Sequence, residues 1–448
     1  MLQIGMKEIN DQYIKEVEDN FAINQLTNKT QLEYLDNSTA KYHGMTISYL
    51  YVPKLFPDHV VDYLSDQVTM IYSILDKVIK EYLTHADYRA LFGFDKRLEE
   101  LILIDRLYET TLPIGRVDIF LNEEDLSYKF CEFNADGSSS MNDDRELNIS
   151  IQYTDAYRKM QERYDLSSFE LFDSWVEEFM NVYSTYQKKV EKPKVAIVDF
   201  LEKGASLEEF EQFSKSFKKA GYQAEVCEIR DLRYVGGQLY SPSGMQIDAI
   251  YRRAVTSDIM EHLEEVPDFI QAVKDQKVCL IGSFCTQVIH NKILFKLLFE
   301  ERTQRFLSEE EKQFIKEHVP YTVSLSEMDC NIAEIIKNKD RWIIKPEDSY
   351  GAQGVFAGIH YSVEEWEQIV KEHLDNHYML QEFHMPYQSR NVQMNSENQQ
   401  FRNYSNLMGL YVYNGKFKGV YSRLSGKEII SVEHDENDAA SVMVKEKR

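Results

Sequence analysis

No stretch of this chain approaches the ~18 consecutive apolar residues that a membrane-spanning helix needs. The opening MLQIGMKEINDQY meets acidic and polar residues before a signal-peptide core of ~7–15 apolar residues could form. A soluble, cytoplasmic protein is therefore expected. Cysteine is scarce: Cys131, Cys227, Cys279, Cys285 and Cys330 are an odd five with no CxxC pair. That argues against a disulfide framework or a zinc site and suits reduced, mostly buried thiols. Basic residues are outnumbered, 51 Lys and Arg against 75 Asp and Glu, for a formal charge of -24. Such a surface repels nucleic-acid backbones and anionic lipid, so neither is an expected partner. Also missing are GxxxxGK and GxGxxG, so neither the Walker A loop nor the dinucleotide fingerprint is present.

What is present is 448 residues at 43% hydrophobic content, enough for one large core or two to three smaller ones, since domains usually run ~100–200 residues. Val60, Val61, Leu64, Val68, Ile71, Leu75, Val78 and Ile79 recur at helical spacing, which predicts a long amphipathic helix over 60–83. Between Lys194 and Ile281, short apolar runs (KVAIVDF, AEVCEI, QIDAIY, VCLIG) alternate with helix-like stretches at 207–220 and 257–273. This pattern predicts an α/β domain. The run VGGQLYSPSGMQIDAIYRR reads as a hairpin turning at SPSG. The polar stretch 394–400 reads either as a mobile loop over a site or as a solvated surface loop.

Chemistry concentrates first in two alternating runs, RVDIFL from Arg116 and YKFCEFN from Tyr128. Alternation puts Arg116 and Asp118 on one strand face, and Glu132 and Asn134 on one face of the other, opposite Cys131 and Phe133. Paired as a hairpin with Asn122 opposite Tyr128, the strands set Asp118 against Glu132 and Arg116 against Asn134. Two carboxylates and an amide oxygen suit magnesium, which takes hard oxygen ligands and fills its shell with phosphates and water. A charged hairpin facing solvent shows the same alternation. The following ADGSSS turn allows close backbone approach to an anion.

A second group starts at the strand-like WIIKP, which delivers Lys345 just before a loop of Ser349, Tyr350, Gly351 and Gly354. A lysine followed by flexible glycines is a phosphate-binding order, though an ordinary surface turn has it too. Next, YMLQEF ends an apolar strand with Gln381, Glu382 and Phe383, groups able to meet an adenine edge between apolar walls. Lys292 opens NKILFKLLF, and Arg423 lies in SRLSG; each alone would be read as a surface cation.

In this order, covering about residues 110–430, these pieces resemble the glutathionylspermidine synthase-like family: an RxD strand, an ExN strand with a small-residue turn, Tyr251-Arg252-Arg253, Asn291-Lys292, IIKP, QEF and SRLSG. The resemblance implies a mixed α/β, circularly permuted ATP-grasp fold with an additional α/β pre-ATP-grasp-like domain. The implied division is a helical region plus metal-bearing strands (1–190), an α/β domain (191–285) and a nucleotide-binding portion (286–448). It implies an ATP-dependent C–N ligase using magnesium to join a carboxylate to an amine, a polyamine among the candidates, through an acyl-phosphate. By the same resemblance Asp118, Glu132 and Asn134 hold the metal, and Arg116 and Arg423 are catalytic. Lys292, Lys345 and the 349–355 loop meet phosphates, while Gln381 to Phe383 line the adenine pocket. A lid role falls to 391–403. No cysteine precedes Cys131, so the amidase activity of bifunctional relatives is not expected. A silent nucleotide-binding module and a phosphotransferase stand as alternatives.

Overall fold

In the computed structural model, the described residues are 4–42, 44–202, 205–326, 328, 330–347, 354–396, 398–430 and 435–447. The helical periodicity at 60–83 is realised as Asp58–Thr84, which buries Val60, Leu64, Val68, Ile71, Leu75, Val78 and Ile79 along one side. Asp58 in its first turn places a negative charge at the positive end of the helix dipole. No helix among the described residues is long and apolar enough to cross a membrane.

That helix shares one core with a large antiparallel sheet. The sheet's strands run Glu436–Ala439, Lys416–Ser425, Arg402–Tyr413, Ile114–Leu121 and Tyr128–Asn134, with Gln388–Asn391 pairing on Arg402–Tyr413. Strands from residues 114–134 and from the last sixty residues thus lie side by side. Cross-strand partners share a face. Ile119 pairs with Met408 and Val117 with Leu410, on the core face, so Arg116 and Asp118 point the other way with Tyr411 and Gly409.

The 194–281 region forms four parallel strands in the order Cys279–Ile281, Ala249–Arg252, Val195–Asp199, Ala224–Glu228. Their nearly unbroken apolar runs suit a sheet covered on both faces. The helix Leu207–Lys219 makes the crossover between the Val195 and Ala224 strands. Two local readings differ. The hairpin turns at Gly236 and Gly237, both with positive φ, so that Arg233–Val235 pairs with Gln238–Tyr240; SPSG closes a separate turn beyond it. The helix expected over 257–273 is two, Thr256–Glu261 and Pro267–Lys274, because Pro267 opens a helix but cannot continue one.

A smaller lobe carries the sheet Thr322–Ser324, Tyr378–Glu382, Trp342–Pro346, Phe356–Ala357. It has its own core, built from Leu325, Ile335, Ile344, Trp366, Val370 and Leu380. It faces the polar side of the large sheet across a cavity of about 300 Å³.

Candidate active site

The hairpin expected from alternation forms, with Arg116 opposite Asn134 and Asp118 opposite Glu132. Toward its turn the register slips by one, Leu121 rather than Asn122 facing Tyr128, and a β-bulge between Asp118 and Ile119 takes up the difference. Bulges insert an extra residue and re-aim side chains. Here Cys131 is the extra residue, and it lines the cavity along with Glu132, Phe133 and Asn134. Burial pushes its thiol up to about 12, against the pull of Lys345.

Asp118 is fully buried and serves as the hub. Arg116 grips it with two bonds, Nε to Oδ1 at 2.8 Å and a terminal nitrogen to Oδ2 at 3.1 Å, and its other terminal nitrogen donates to the Ser139 carbonyl. Arg423 donates to the same Oδ2 from the opposite side. Asn134 Nδ2 donates to Asp118 at 3.0 Å and to Glu132 at 3.2 Å, tying the two carboxylates together. Burial alone would favour a neutral Glu132, yet Lys292, Arg423, the Asn134 amide and Arg116 outweigh it and hold the carboxyl at about 2.

The turn after Asn134 is braced from the parallel sheet. Gly137 has φ +68°, and a Cβ there would lie 2.6 Å from Val255 and 2.9 Å from the Arg253 carbonyl. Arg252 pairs with Asp136 at 2.5 Å and Arg253 with Glu209 at 3.0 Å, all four buried. Tyr251, Arg252 and Arg253 therefore act as a buttress for the turn. Asn291 caps the helix Ile293–Leu297 by accepting from the Ile293 amide, and this sets Lys292 on the cavity wall.

From the small lobe, Lys345 Nζ donates to Gln381 Oε1 at 2.8 Å, and Gln381 Nε2 donates to Thr322 at 2.9 Å. Ile343, Val355, Glu382 and Phe383 complete that wall. Gly354 has φ +69° and packs beside Tyr378 and Pro346. Ser349, Tyr350 and Gly351 lie outside the described residues. The cavity thus gathers Arg116, Glu132, Asn134, Lys292, Lys345, Gln381, Glu382, Phe383 and Arg423.

The 391–403 segment is not part of it. Asn391 is buried and its side chain bonds both the N–H and the carbonyl of Val52, while Val392 and Met394 pack into the core of the N-terminal helices. The residues that do overhang the cavity are Glu428, Ile429 and Ile430, with Glu428 reaching His360 of the small lobe at 3.1 Å.

Four residues unmarked in the sequence complete the polar face. Gly409 sits opposite Asp118 on one side and Tyr421 on the other. Asp438 lies opposite Arg423 and accepts from the Tyr421 hydroxyl at 2.5 Å; Glu436 approaches Arg423 at 3.9 Å. Burial, then Asp143 and Glu436, drive the Asp438 carboxyl well above its ordinary range.

No family model and no curated relative matches the chain by sequence. Solved structures do match by shape. A glutathione synthetase-like effector from Globodera pallida, in its apo form, superposes with a TM-score of 0.60 over 94% of this chain and 97% of its own, at 12% identity. The chain shares the fold of that protein. Looser likenesses are to a putative gamma-glutamylcysteine synthetase from Methylobacillus flagellatus (TM-score 0.42, 10% identity, 83% and 88% covered) and to a D-cycloserine synthetase (0.29, 12%, 57% and 75%).

Proposed function

We propose that this chain is an ATP- and magnesium-dependent carboxylate–amine ligase of the glutathionylspermidine synthase-like kind, built on a circularly permuted ATP-grasp with the domain division 1–190, 191–285 and 286–448. The observation that carries the reading is the convergence on one cavity of Glu132, Asn134, two arginines and two lysines, drawn from opposite walls, with Asp118 buried behind them and bonded to both arginines and to Asn134. Adenine fits between Ile343, Val355 and Phe383, with Gln381 and Glu382 at its edge. Lys345 and Lys292 face where the phosphates would run.

Among the described residues there is no cluster of three or more His, Cys, Asp or Glu side chains able to hold a metal. Two carboxylates suffice for magnesium when nucleotide phosphates and water supply the other oxygens. Glu132, on the cavity wall, fits that donor set; Asp118, fully buried, would join it by exchanging bonds it now accepts from Arg116, Arg423 and Asn134, and Asn134 by rotating its amide oxygen inward, since it now presents Nδ2. The bound ion supplies neutralisation of phosphate charge.

The chain's own groups do the positioning. Attack of a substrate carboxylate on the γ-phosphate gathers negative charge on oxygens, which Arg116 and Arg423, fixed beforehand, stabilise without reorganisation. The products are ADP and an acyl-phosphate, from which the amine displaces phosphate. Glu428 to Ile430 overhang the cavity where water must be excluded.

The test is magnesium-dependent ADP release across a panel of carboxylates crossed with amines, in wild type and Glu132→Ala. Release that requires both substrates and disappears in the variant supports the ligase. ATP binding with no stimulated turnover, unaltered by Glu132→Ala, removes it in favour of a nucleotide-binding module.

A further inference from the structure

We infer that Tyr421 is a positioning residue: its ring, with the guanidiniums of Arg116 and Arg423 both packed against it, holds them in place around Asp118. This rests on the ligase reading of the site and names a residue that the reading does not need.

The geometry is symmetrical. The Arg116 and Arg423 Cζ atoms each lie 5.4 Å from the centre of the Tyr421 ring. A guanidinium within ~6 Å of an aromatic face is attracted by the ring's quadrupole, more strongly when water is excluded. Water is excluded here, since Tyr421 is 4% exposed and the arginines 7% and 8%. The ring itself is pinned, because its hydroxyl donates to Asp438 at 2.5 Å.

The contact exists because of a gap in the sheet. Tyr421 lies opposite Gly409, which lies opposite Asp118, so a side chain at 409 would separate the ring from the first strand. A Cβ on Gly409 would come within 2.6 Å of Arg116 Cδ and 2.8 Å of its Nε. Arg116 occupies that space on its way to the ring.

The arginines need such a restraint. Two like charges converge on one carboxylate and repel each other. Arg423 is the less secured: among the described residues its Nε has no hydrogen-bond partner, and Glu436 is 3.9 Å away. Its orientation therefore depends on Asp118 and the ring. When phosphate oxygens compete with Asp118 for the arginines, or cations compete with the arginines for Asp118, the ring is the contact that does not change.

The experiment compares Tyr421→Phe, which keeps the ring and loses the hydroxyl, with Tyr421→Leu, which keeps bulk and loses the π face. In steady-state ADP release, Tyr421→Leu should lower kcat about 10- to 100-fold, as two desolvated cation–π contacts predict. KM for ATP should stay within a factor of three, on the order of ordinary variation among mutants that spare ground-state binding. Tyr421→Phe should keep most of kcat. Equal losses in the two variants, or a loss confined to KM, would overturn the inference.

A second reading does not depend on turnover. Arginine Nε–H NMR signals of Arg116 and Arg423, assigned by Arg→Lys variants, should be displaced by ring current in wild type and Tyr421→Phe and not in Tyr421→Leu. If wild type shows no substrate-stimulated turnover, the ligase reading fails while this measurement still decides the packing on the ring. Signals identical in Phe and Leu variants would sink it. Should Tyr421→Leu fail to fold, Tyr421→Met supplies the same comparison with a more adaptable side chain.

Discussion

Gly409 faces Asp118 across paired strands, and a methyl group on Gly409 would lie 2.9 Å from the Asp118 carboxylate. The same methyl would press on Arg116, so Gly409→Ala must dislodge the buried ion pair or shift the strand. Overpacking of this kind costs about 1–3 kcal/mol. Urea unfolding should show that loss, and proposed ligase turnover should fall with it. An alanine variant as stable and active as wild type would mean the polar face tolerates what the geometry forbids.

Removing the hub itself should cost more. Asp118→Ala leaves Arg116 and Arg423 buried, facing each other, with no carboxylate between them. Breaking a buried ion pair by deleting one partner costs about 3–5 kcal/mol. Chemical denaturation of Asp118→Ala beside Glu132→Ala separates the two carboxylates: the first should be the more destabilised, because Asp118 is fully buried and bonded to two arginines whereas Glu132 is only partly buried.

These contrasts mark how far the sequence could be read. Alternation along RVDIF and KFCEFN was enough to pair Arg116 with Asn134 and Asp118 with Glu132, because side-chain period and a short connection constrain a local hairpin. The bulge was not legible, since a strand that places two residues against one looks like ordinary alternation until its partner is known. Cys131 was therefore not recognised as the bulged residue. Gly409 and Tyr421 went unmarked for a related reason: Gly409 pairs with Asp118, some 290 positions away, Tyr421 reaches the site only through its pairing with Gly409, and no local pattern carries that register. The overhanging segment was misplaced because polar composition at 394–400 reflects surface, whereas position over a cavity is set by Ser425 being in the sheet and the chain leaving it there.

Nucleotide affinity should divide unequally between Lys345 and Gln381. On the proposed reading Lys345→Ala removes a charge-assisted contact to phosphate, and it should weaken binding of a nonhydrolysable ATP analogue by about 10- to 100-fold. Gln381→Ala removes a neutral partner of Lys345 and Thr322, so about fivefold is expected. Titration calorimetry reads both. If Gln381→Ala is the more damaging, the glutamine contacts the nucleotide directly and the lysine does not.

His360 and Glu428 join the small lobe to the overhanging segment with both side chains 35% exposed. An exposed pair of this type contributes about 0–1 kcal/mol, so Glu428→Ala should leave thermal stability nearly unchanged. Its effect should appear in release. Stopped-flow chase of a fluorescent ATP analogue is expected to show dissociation several-fold faster, on the order of the loss of one weak tether. An unaltered dissociation rate would show that the segment does not gate the cavity.

Asp144 should set a pH dependence of stability. Its Oδ1 accepts the Ser441 amide at 3.0 Å, whereas Oδ2 is buried with no hydrogen-bond partner among the described residues. Burial, opposed by the bonds from Ser441, pushes the carboxyl up to about 8. An acid whose folded value exceeds its unfolded one binds more protons when folded, so its contribution is fully present below the unfolded pKa of ~3.9 and is lost as pH rises toward 8. Asp144→Asn cannot ionise and escapes that loss. The variant's stability relative to wild type should therefore grow between about pH 4 and pH 8, by a few kcal/mol at roughly 1.4 kcal/mol per unit. Urea unfolding at a series of pH values measures the gap. A gap that stays constant across this window would mean that Asp144 ionises in the folded protein as it does in the unfolded one, and that the carboxylate finds a partner there when charged.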